Sequence, residues 1–205
     1  MKVFVGILVV LAILAVILVG GIWSARGGLI ERTQTIDAQW GQVQNVYQRR
    51  FDLIPNLVAG ITDFMKRQQA TITGAIELRQ RVIELKTEAD VALQSGNPAY
   101  LDSISALLSQ RMNSLINMVS EQYPDVKGEQ MYRDYMAQME GTENRVAQER
   151  RQYNVDVRSY NTFRQKGIFA LIAGSIFGYP WERAFFKADD EAQKAPDAQN
   201  LFQRQ

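Results

Sequence analysis

Apolar residues recur at helical spacing along most of this chain, but the first block is apolar throughout. The 20 residues 3–22 are uncharged and mostly aliphatic. At about 1.5 Å per residue, a helix of that length spans roughly the 30 Å hydrocarbon core of a bilayer. A cleavable signal peptide is the competing interpretation, but its apolar run is usually only about 7–15 residues long. The pattern therefore favours a retained signal anchor, with Trp23 at the membrane interface.

Four amphipathic helices are predicted after this anchor. The first covers residues 29–47, and the second runs from Asp52 towards residue 92. Asn97 and Pro98 are typical of a helix start, so they begin the third helix. The fourth carries an apolar residue at every seventh position from 132 to 160, a spacing typical of coiled-coil and bundle packing. We therefore predict an all-α protein, with an N-terminal transmembrane helix followed by an antiparallel up-and-down four-helix bundle.

The corner between the first two of these helices contains Arg49, Arg50, Asp52 and Pro55. A proline in a helix interior costs about 3 kcal/mol, yet it is tolerated in the first turn. Asp52 is a good N-cap, so we predict that the helix restarts there, with Pro55 at its third position. A proline kink in a continuous helix is the alternative.

These patterns divide the chain into an anchor (1–24), the bundle (25–166), an apolar aromatic segment (167–186) and a polar tail (187–205). The tail is expected to be loosely ordered.

The aromatic segment is too short to span a bilayer. An even number of antiparallel helices would return the chain to the membrane there, so we predict that Phe177, Tyr179 and Trp181 lie at the membrane interface. Capping of the open end of the bundle and contact between protomers are the alternatives.

The composition argues against most kinds of catalytic and metal-binding site. The chain has 23 basic and 22 acidic residues, a net charge of +1, so its charge indicates no nucleic-acid partner. It has neither cysteine nor histidine, which excludes disulfides, thiolate chemistry and the commonest metal ligand and general base. Phosphate-binding loops, dinucleotide glycine patterns and nucleophile elbows do not occur. We therefore expect no catalytic residue, no cofactor and no metal site.

A polar seam is predicted on the fourth helix. Glu149 and Asp156 lie seven residues apart and could turn inward to meet Arg49 and Arg50. Buried ion pairs of this kind more often set helix register than perform chemistry. Ligand recognition is the alternative, since arginine side chains suit phosphate and anionic lipid headgroups.

The corner also carries a family resemblance. Residues 38–40 (AQW), 43–45 (VQN) and 47–58 (YQRRFDLIPNLV) resemble the hallmark segment of the LemA family. The resemblance continues at residues 143–147, 150–154, 160–161, 171–173, 177–179 and 186–192. It implies a membrane-anchored antiparallel four-helix bundle with no established enzymatic activity, among envelope proteins of which one branch is linked to magnetosome membrane formation. Residues 166–168 (KGI) depart from the family pattern, which often has a proline before the Leu-Ile-Ala segment.

The leading functional hypothesis is a non-enzymatic single-pass membrane protein whose bundle is a scaffold or adaptor for envelope proteins. Its expected partners are membrane lipid and other membrane or envelope proteins, with homo-oligomer formation as a further option. The alternative is a bundle domain that senses a ligand or lipid, which a pocket lined by Arg49, Arg50, Glu149 and Asp156 would favour. An enzyme is the third and weakest hypothesis.

The expected location is the cell inner membrane. Lys2 and the amino terminus lie on one side of the anchor, and Arg26 and Arg32 lie on the other. Charge therefore specifies orientation only weakly. We favour an inside N-terminus and an extracytoplasmic bundle.

Overall fold

The structure is a computed structural model that describes residues 2–68 and 73–187. Over these residues the chain is helical and contains no strand, which confirms the all-α prediction. The elements are α1 (Lys2–Arg67), α2 (Thr73–Gln94), α3 (Pro98–Gln122), a 3-10 turn (Pro124–Gly128), α4 (Gln130–Lys166) and α5 (Ile168–Ile176). Of the predicted polar tail, residues 188–205 lie outside the described part.

The first helix, α1, is a single helix of 66 residues with Pro55 in its interior. The predicted restart at Asp52 is therefore wrong, and Arg49, Arg50, Asp52 and Pro55 form no corner. Asp52 caps nothing; its exposed carboxylate accepts a hydrogen bond from Gln48 Nε2 at 2.9 Å. The break between the first two soluble helices falls after Arg67 instead.

Packing explains why the helix continues through the proline. Phe51, Ile54, Leu57, Val58 and Ile61 are all buried on both sides of it, so the inner stripe runs through without a change of face. Burying each such side chain contributes about 1.5–3 kcal/mol. Together these residues outweigh the roughly 3 kcal/mol that an interior proline costs.

The N-terminal part of α1 is long and apolar enough to cross a membrane. Its most apolar 18-residue window has a mean hydropathy of 3.3, and none of that window is buried against the rest of the protein. Burial on α1 begins at Ala25 and Leu29. The apolar N-terminal stretch and the packed part of the protein therefore share one helix.

Helix α4 packs antiparallel along the packed part of α1. Phe163 of α4 lies against Gly28 and Met131 against Gly60, so the two contacts run in opposite chain directions. Helix α2 is also antiparallel to α1, because Gln44 donates a hydrogen bond to the carbonyl of Leu93 at 2.6 Å while residue 52 faces residue 86.

Helix α3 packs on α2 after a tight turn. Gly96 has a φ of +65°, which glycine adopts readily. Asn97 then accepts hydrogen bonds from the backbone N–H groups of Ala99 and Tyr100 at 3.0 and 3.2 Å, with Pro98 in the first turn. This confirms the predicted helix start.

The C-terminal segment folds back onto α1 and α4. Gly167 separates α4 from α5 without the proline that the family pattern often has. Helix α5 then packs on α1, with Phe169 against Gly21. It ends at Ile176. Gly178, two residues on, has a φ of +73°, and the Tyr179 N–H donates to the Gly174 carbonyl at 2.9 Å. This glycine-dependent stop turns the following residues back along α4.

Candidate functional site

A polar cleft of about 620 Å³ lies between α1, α3 and α4. The face of α3 in this cleft is built from Asp102, Ser105, Ala106 and Ser109, and Ala147 of α4 lies opposite. These spacings place the four α3 residues on one side of the helix. Because the side chains are small or polar, they do not fill the space between α3 and α4 as large apolar side chains would.

Arg50 enters this cleft from α1. Its Nη2 donates to Ser109 Oγ at 2.9 Å and to Glu143 Oε1 at 3.0 Å, and its Nη1 donates to Ser105 Oγ at 3.4 Å. The arginine side chain is only 13% exposed. A guanidinium at this depth needs such partners, since an unpaired buried charge is costly.

A second polar group joins the same three helices. The Tyr47 hydroxyl of α1 donates to Asp102 Oδ1 at 2.7 Å, and Arg150 of α4 pairs with Asp102 Oδ2 at 3.0 Å. Burial raises the pKa of Tyr47, and the neighbouring Asp102 carboxylate raises it further. Tyr47 is therefore a neutral donor at physiological pH. The two carboxylates of the cleft face two guanidinium groups, an arrangement suited to binding polar groups.

An aromatic pocket adjoins the cleft and holds Phe186, which is 2% exposed. The Phe186 ring stacks on Trp40 at a centroid distance of 5.9 Å and meets Tyr153 edge-on at 5.3 Å. It also stacks on Tyr47 at 6.4 Å. The Arg150 guanidinium carbon lies 5.3 Å from its centroid. Tyr47 and Arg150 therefore belong to both the cleft and the pocket.

Residues 179–187, here called the C-terminal strap, are held on α4 through their main chain. Asn161 accepts from the Arg183 N–H at 2.8 Å and donates to the Arg183 carbonyl at 3.1 Å. Asn154 makes the same pair of bonds to Phe186, both at 2.9 Å.

Two further bonds lie at the ends of the strap. The Tyr160 hydroxyl donates to the Pro180 carbonyl at 2.7 Å, and Arg150 donates to the Lys187 carbonyl at 2.6 Å. The strap thus runs antiparallel to α4.

A protein-family model, the LemA family, matches residues 39–199, most of the chain. This protein belongs to the LemA family. The match includes Arg50, Asp102, Arg150 and Phe186, so the cleft and the strap both lie in the family region. A search of curated proteins found no match.

The sequence placed some residues of this LemA-family site correctly and others wrongly. Arg50 reaches the cleft, but Arg49 is exposed. Within the described residues, Glu149 and Asp156 form no ion pair with these arginines. Glu149 accepts a hydrogen bond from Gln39 Nε2 at 2.7 Å, and Asp156 accepts one from Gln152 Nε2 of the same helix at 3.2 Å. Arg50 takes Glu143 instead because that residue lies nearer along the antiparallel α4.

Of the predicted interface residues, Phe177 lies beside α1, near the end of its apolar stretch, and Trp181 lies beside α4. Phe177 and Trp181 are 41% and 53% exposed. Arg26 lies 4.9 Å from the Phe177 ring centroid, and Arg164 lies 5.2 Å from that of Trp181. Their location at a lipid surface stays a prediction.

Several site residues were not anticipated: Asp102, Ser105, Ser109, Asn154, Asn161 and Phe186. One signal for the asparagines was present. Asn154 and Asn161 lie one heptad apart, and asparagine is a poor helix former, so each is better explained by a side-chain contact than by helix propensity. Within residues 2–68 and 73–187, no three acidic side chains gather as a metal site.

Proposed function

We propose that this LemA-family protein is a non-enzymatic, single-pass protein of the cell inner membrane whose helical bundle is a scaffold or adaptor for other envelope proteins. The observation that carries this proposal is the unbroken α1. A 66-residue helix is about 100 Å long, and it joins the apolar anchor to the packed region without a flexible joint. Such a helix would hold a docking surface at a fixed distance from the membrane. The LemA family is not a known enzyme family, and the all-helical fold fits that reading.

The packed region is proposed to be one antiparallel four-helix bundle formed by α1 from residue 25 onward, α2, α3 and α4. Antiparallel contacts of α1 with both α2 and α4 support it, as does the packing of α2 on α3. The polar contacts of Asp102 with Tyr47 and Arg150 connect α3 to α1 and α4.

Photo-crosslinking in intact cells tests the adaptor role. Helix α2 leaves Ile76, Ile83 and Val91 half exposed or more, and these side chains form an outward apolar stripe that suits a protein contact. A photoreactive amino acid at Ile83 or Val91 should give a discrete adduct with an envelope protein. The same group at Arg158, an exposed polar position on α4, is the matched control. Absence of any protein adduct from both α2 positions, in cells that express the protein normally, would argue against an adaptor.

A second candidate function is sensing of a small polar ligand, which the 620 Å³ cleft favours. A ligand at about 100 times its Kd would stabilise the folded protein by about 2.7 kcal/mol. Thermal unfolding with a panel of anionic and zwitterionic metabolites should then reveal a saturable stabilisation that Arg50→Gln reduces. A panel without effect on the wild type would leave the scaffold as the better proposal.

A further inference from the structure

We propose that the surface of α1 and α4 beneath the C-terminal strap is a peptide-binding groove, and that an extended, phenylalanine-bearing segment of a partner envelope protein occupies it in exchange for the strap. The inference rests on the proposed adaptor function and names the class of partner segment. The strap itself shows the chemistry that the groove accepts.

The groove recognises main-chain atoms at a fixed spacing. Asn154 and Asn161 are seven residues apart on α4, or about 10.5 Å along a helix. They bind Phe186 and Arg183, which are three residues apart. Three residues cover about 10 Å only when the chain is nearly fully extended. Two asparagine side chains on one helix face therefore select an extended peptide and ignore most of its side chains, as main-chain recognition does elsewhere.

The aromatic pocket supplies the selectivity that the asparagines lack. Phe186 is the residue held by Asn154 through both of its main-chain groups, so the anchoring ring and the backbone bonds belong to one position. Trp40, Tyr153 and Arg150 surround that ring. Aromatic rings and a guanidinium favour a flat ring over an aliphatic side chain of similar size.

The strap is built for exchange. Within it, Trp181, Glu182, Ala184 and Lys187 are exposed, and none of its residues joins an ion pair to the rest of the described chain. Its attachment consists chiefly of main-chain bonds, which any peptide can supply, and one buried anchor ring. Two cation–π contacts add to these, Arg164 with the Trp181 ring and Arg183 with the Tyr160 ring. A competing segment with the same ring at the same place can replace the main-chain bonds and the contacts of Phe186.

The test measures binding of a fluorescein-labelled synthetic peptide with the sequence of residues 178–187 to the full-length protein in detergent micelles, by fluorescence anisotropy. In the wild type the resident strap competes with the peptide. The substitution Phe186→Ala removes the resident anchor and leaves the groove intact. We expect the peptide to bind Phe186→Ala at least about tenfold more tightly than the wild type.

Two controls test the two parts of the groove. Adding Asn154→Leu to Phe186→Ala should weaken peptide binding at least about tenfold, whereas adding Asn113→Leu, at an exposed asparagine of α3, should leave it unchanged. A peptide with alanine at the position of Phe186 should bind at least about tenfold more weakly. Should Phe186→Ala not fold, Phe186→Leu replaces it, since it keeps an apolar side chain but removes the ring stacking.

The proposed groove is wrong if the wild type and the Phe186 variant bind the peptide with equal affinity. It is also wrong if neither Asn154→Leu nor loss of the peptide's phenylalanine changes that affinity, or if only one of them does. The α2 crosslinking experiment is independent of this result. Peptide binding without a crosslinked protein would keep the groove and remove the adaptor, and a crosslinked protein without peptide binding would do the reverse.

Discussion

The charged residues of the cleft pair with one another across three helices. Arg50 of α1 meets Glu143 of α4, and Asp102 of α3 meets Arg150 of α4. Arg50, Asp102 and Arg150 are largely buried, so removal of the partner of any one of them leaves its charge poorly solvated, whereas the Glu143 side chain is 57% exposed. These residues therefore hold the helices in register, and the same groups give the cleft its polar lining.

The hydroxyl of Tyr47 is expected to contribute measurably to stability. Tyr47→Phe removes a 2.7 Å hydrogen bond to the Asp102 carboxylate, and a bond to a charged group contributes about 1.5–3 kcal/mol. Arg150 still pairs with Asp102, so we expect the lower end of that range, measured by denaturant unfolding in detergent. Tyr132→Phe is the control, because the Tyr132 hydroxyl makes no hydrogen bond within the described residues. Equal effects of the two substitutions would contradict the role of the Tyr47 bond.

A second buried phenol, that of Tyr135, should make the stability of the protein depend on pH in the alkaline range. Burial raises the pKa of Tyr135 to about 12, with Arg50 lowering it and Glu143 raising it by smaller amounts. The unfolded value is about 10, so the folded state favours the neutral form. The contribution of Tyr135 to the free energy of unfolding is then constant below about pH 10 and falls as the pH rises from about 10 to about 12. Spectrophotometric titration of tyrosinate should show one late-titrating phenol fewer in Tyr135→Phe; an unchanged titration curve would disprove the assignment.

At the scale of single elements, glycines on α1 mark where other elements approach. A Cβ at Gly28 would lie 2.7 Å from the Phe163 ring, and one at Gly21 would lie 2.8 Å from the Phe169 ring. Gly20 and Gly27, one residue away in each case, face open space. The face of α1 that contacts α4 and α5 therefore carries glycines that allow close approach, whereas Gly20 and Gly27 have no such neighbours.

Adjacent glycines of α1 should respond oppositely to alanine. Gly27→Ala is expected to raise stability by up to about 1 kcal/mol, since glycine is unfavourable in a helix interior. Gly28→Ala gains the same propensity but collides with Phe163, so we expect a lower midpoint of thermal unfolding than in the wild type. If both substitutions stabilise equally, the close approach of α4 to α1 is wrong.

The proline of α1 offers a test of helix continuity. Pro55 removes the N–H that would bond to the carbonyl of Phe51. Pro55→Ala should therefore stabilise the protein, by up to about 3 kcal/mol, as judged by thermal unfolding followed by circular dichroism. At a helix start proline is well suited, and there the same substitution would be neutral or destabilising.

For the whole molecule, the absence of cysteine makes topology directly measurable. A single cysteine introduced as Arg158→Cys lies at an exposed position on α4. With an extracytoplasmic bundle, we expect a membrane-impermeant maleimide to label it in intact cells. Lys2→Cys should be labelled only after the membrane is broken. The opposite pattern would place the bundle in the cytoplasm.

The sequence by itself determined the helical class, the apolar N-terminal stretch and the start of α3 at Asn97. Each of these depends on residues close together in the chain: the period of the apolar pattern, the length of an uncharged run, or the fit of one side chain to nearby backbone N–H groups. Such local features can be recognised from the order of residues alone, and so can the family resemblance.

Only the tertiary structure decided the continuity of α1, the partner of Arg50 and the place of the strap. Local propensity favoured a helix restart at Asp52, but burial of residues on both sides of Pro55 outweighed it. The spacing on α4 suggested Glu149 as a partner, whereas the antiparallel register brought Glu143 to Arg50. The match between seven residues of α4 and three residues of an extended chain exists only when the strap lies on α4. That placement depends on contacts between distant parts of the chain, such as the stacking of Phe186 on Trp40.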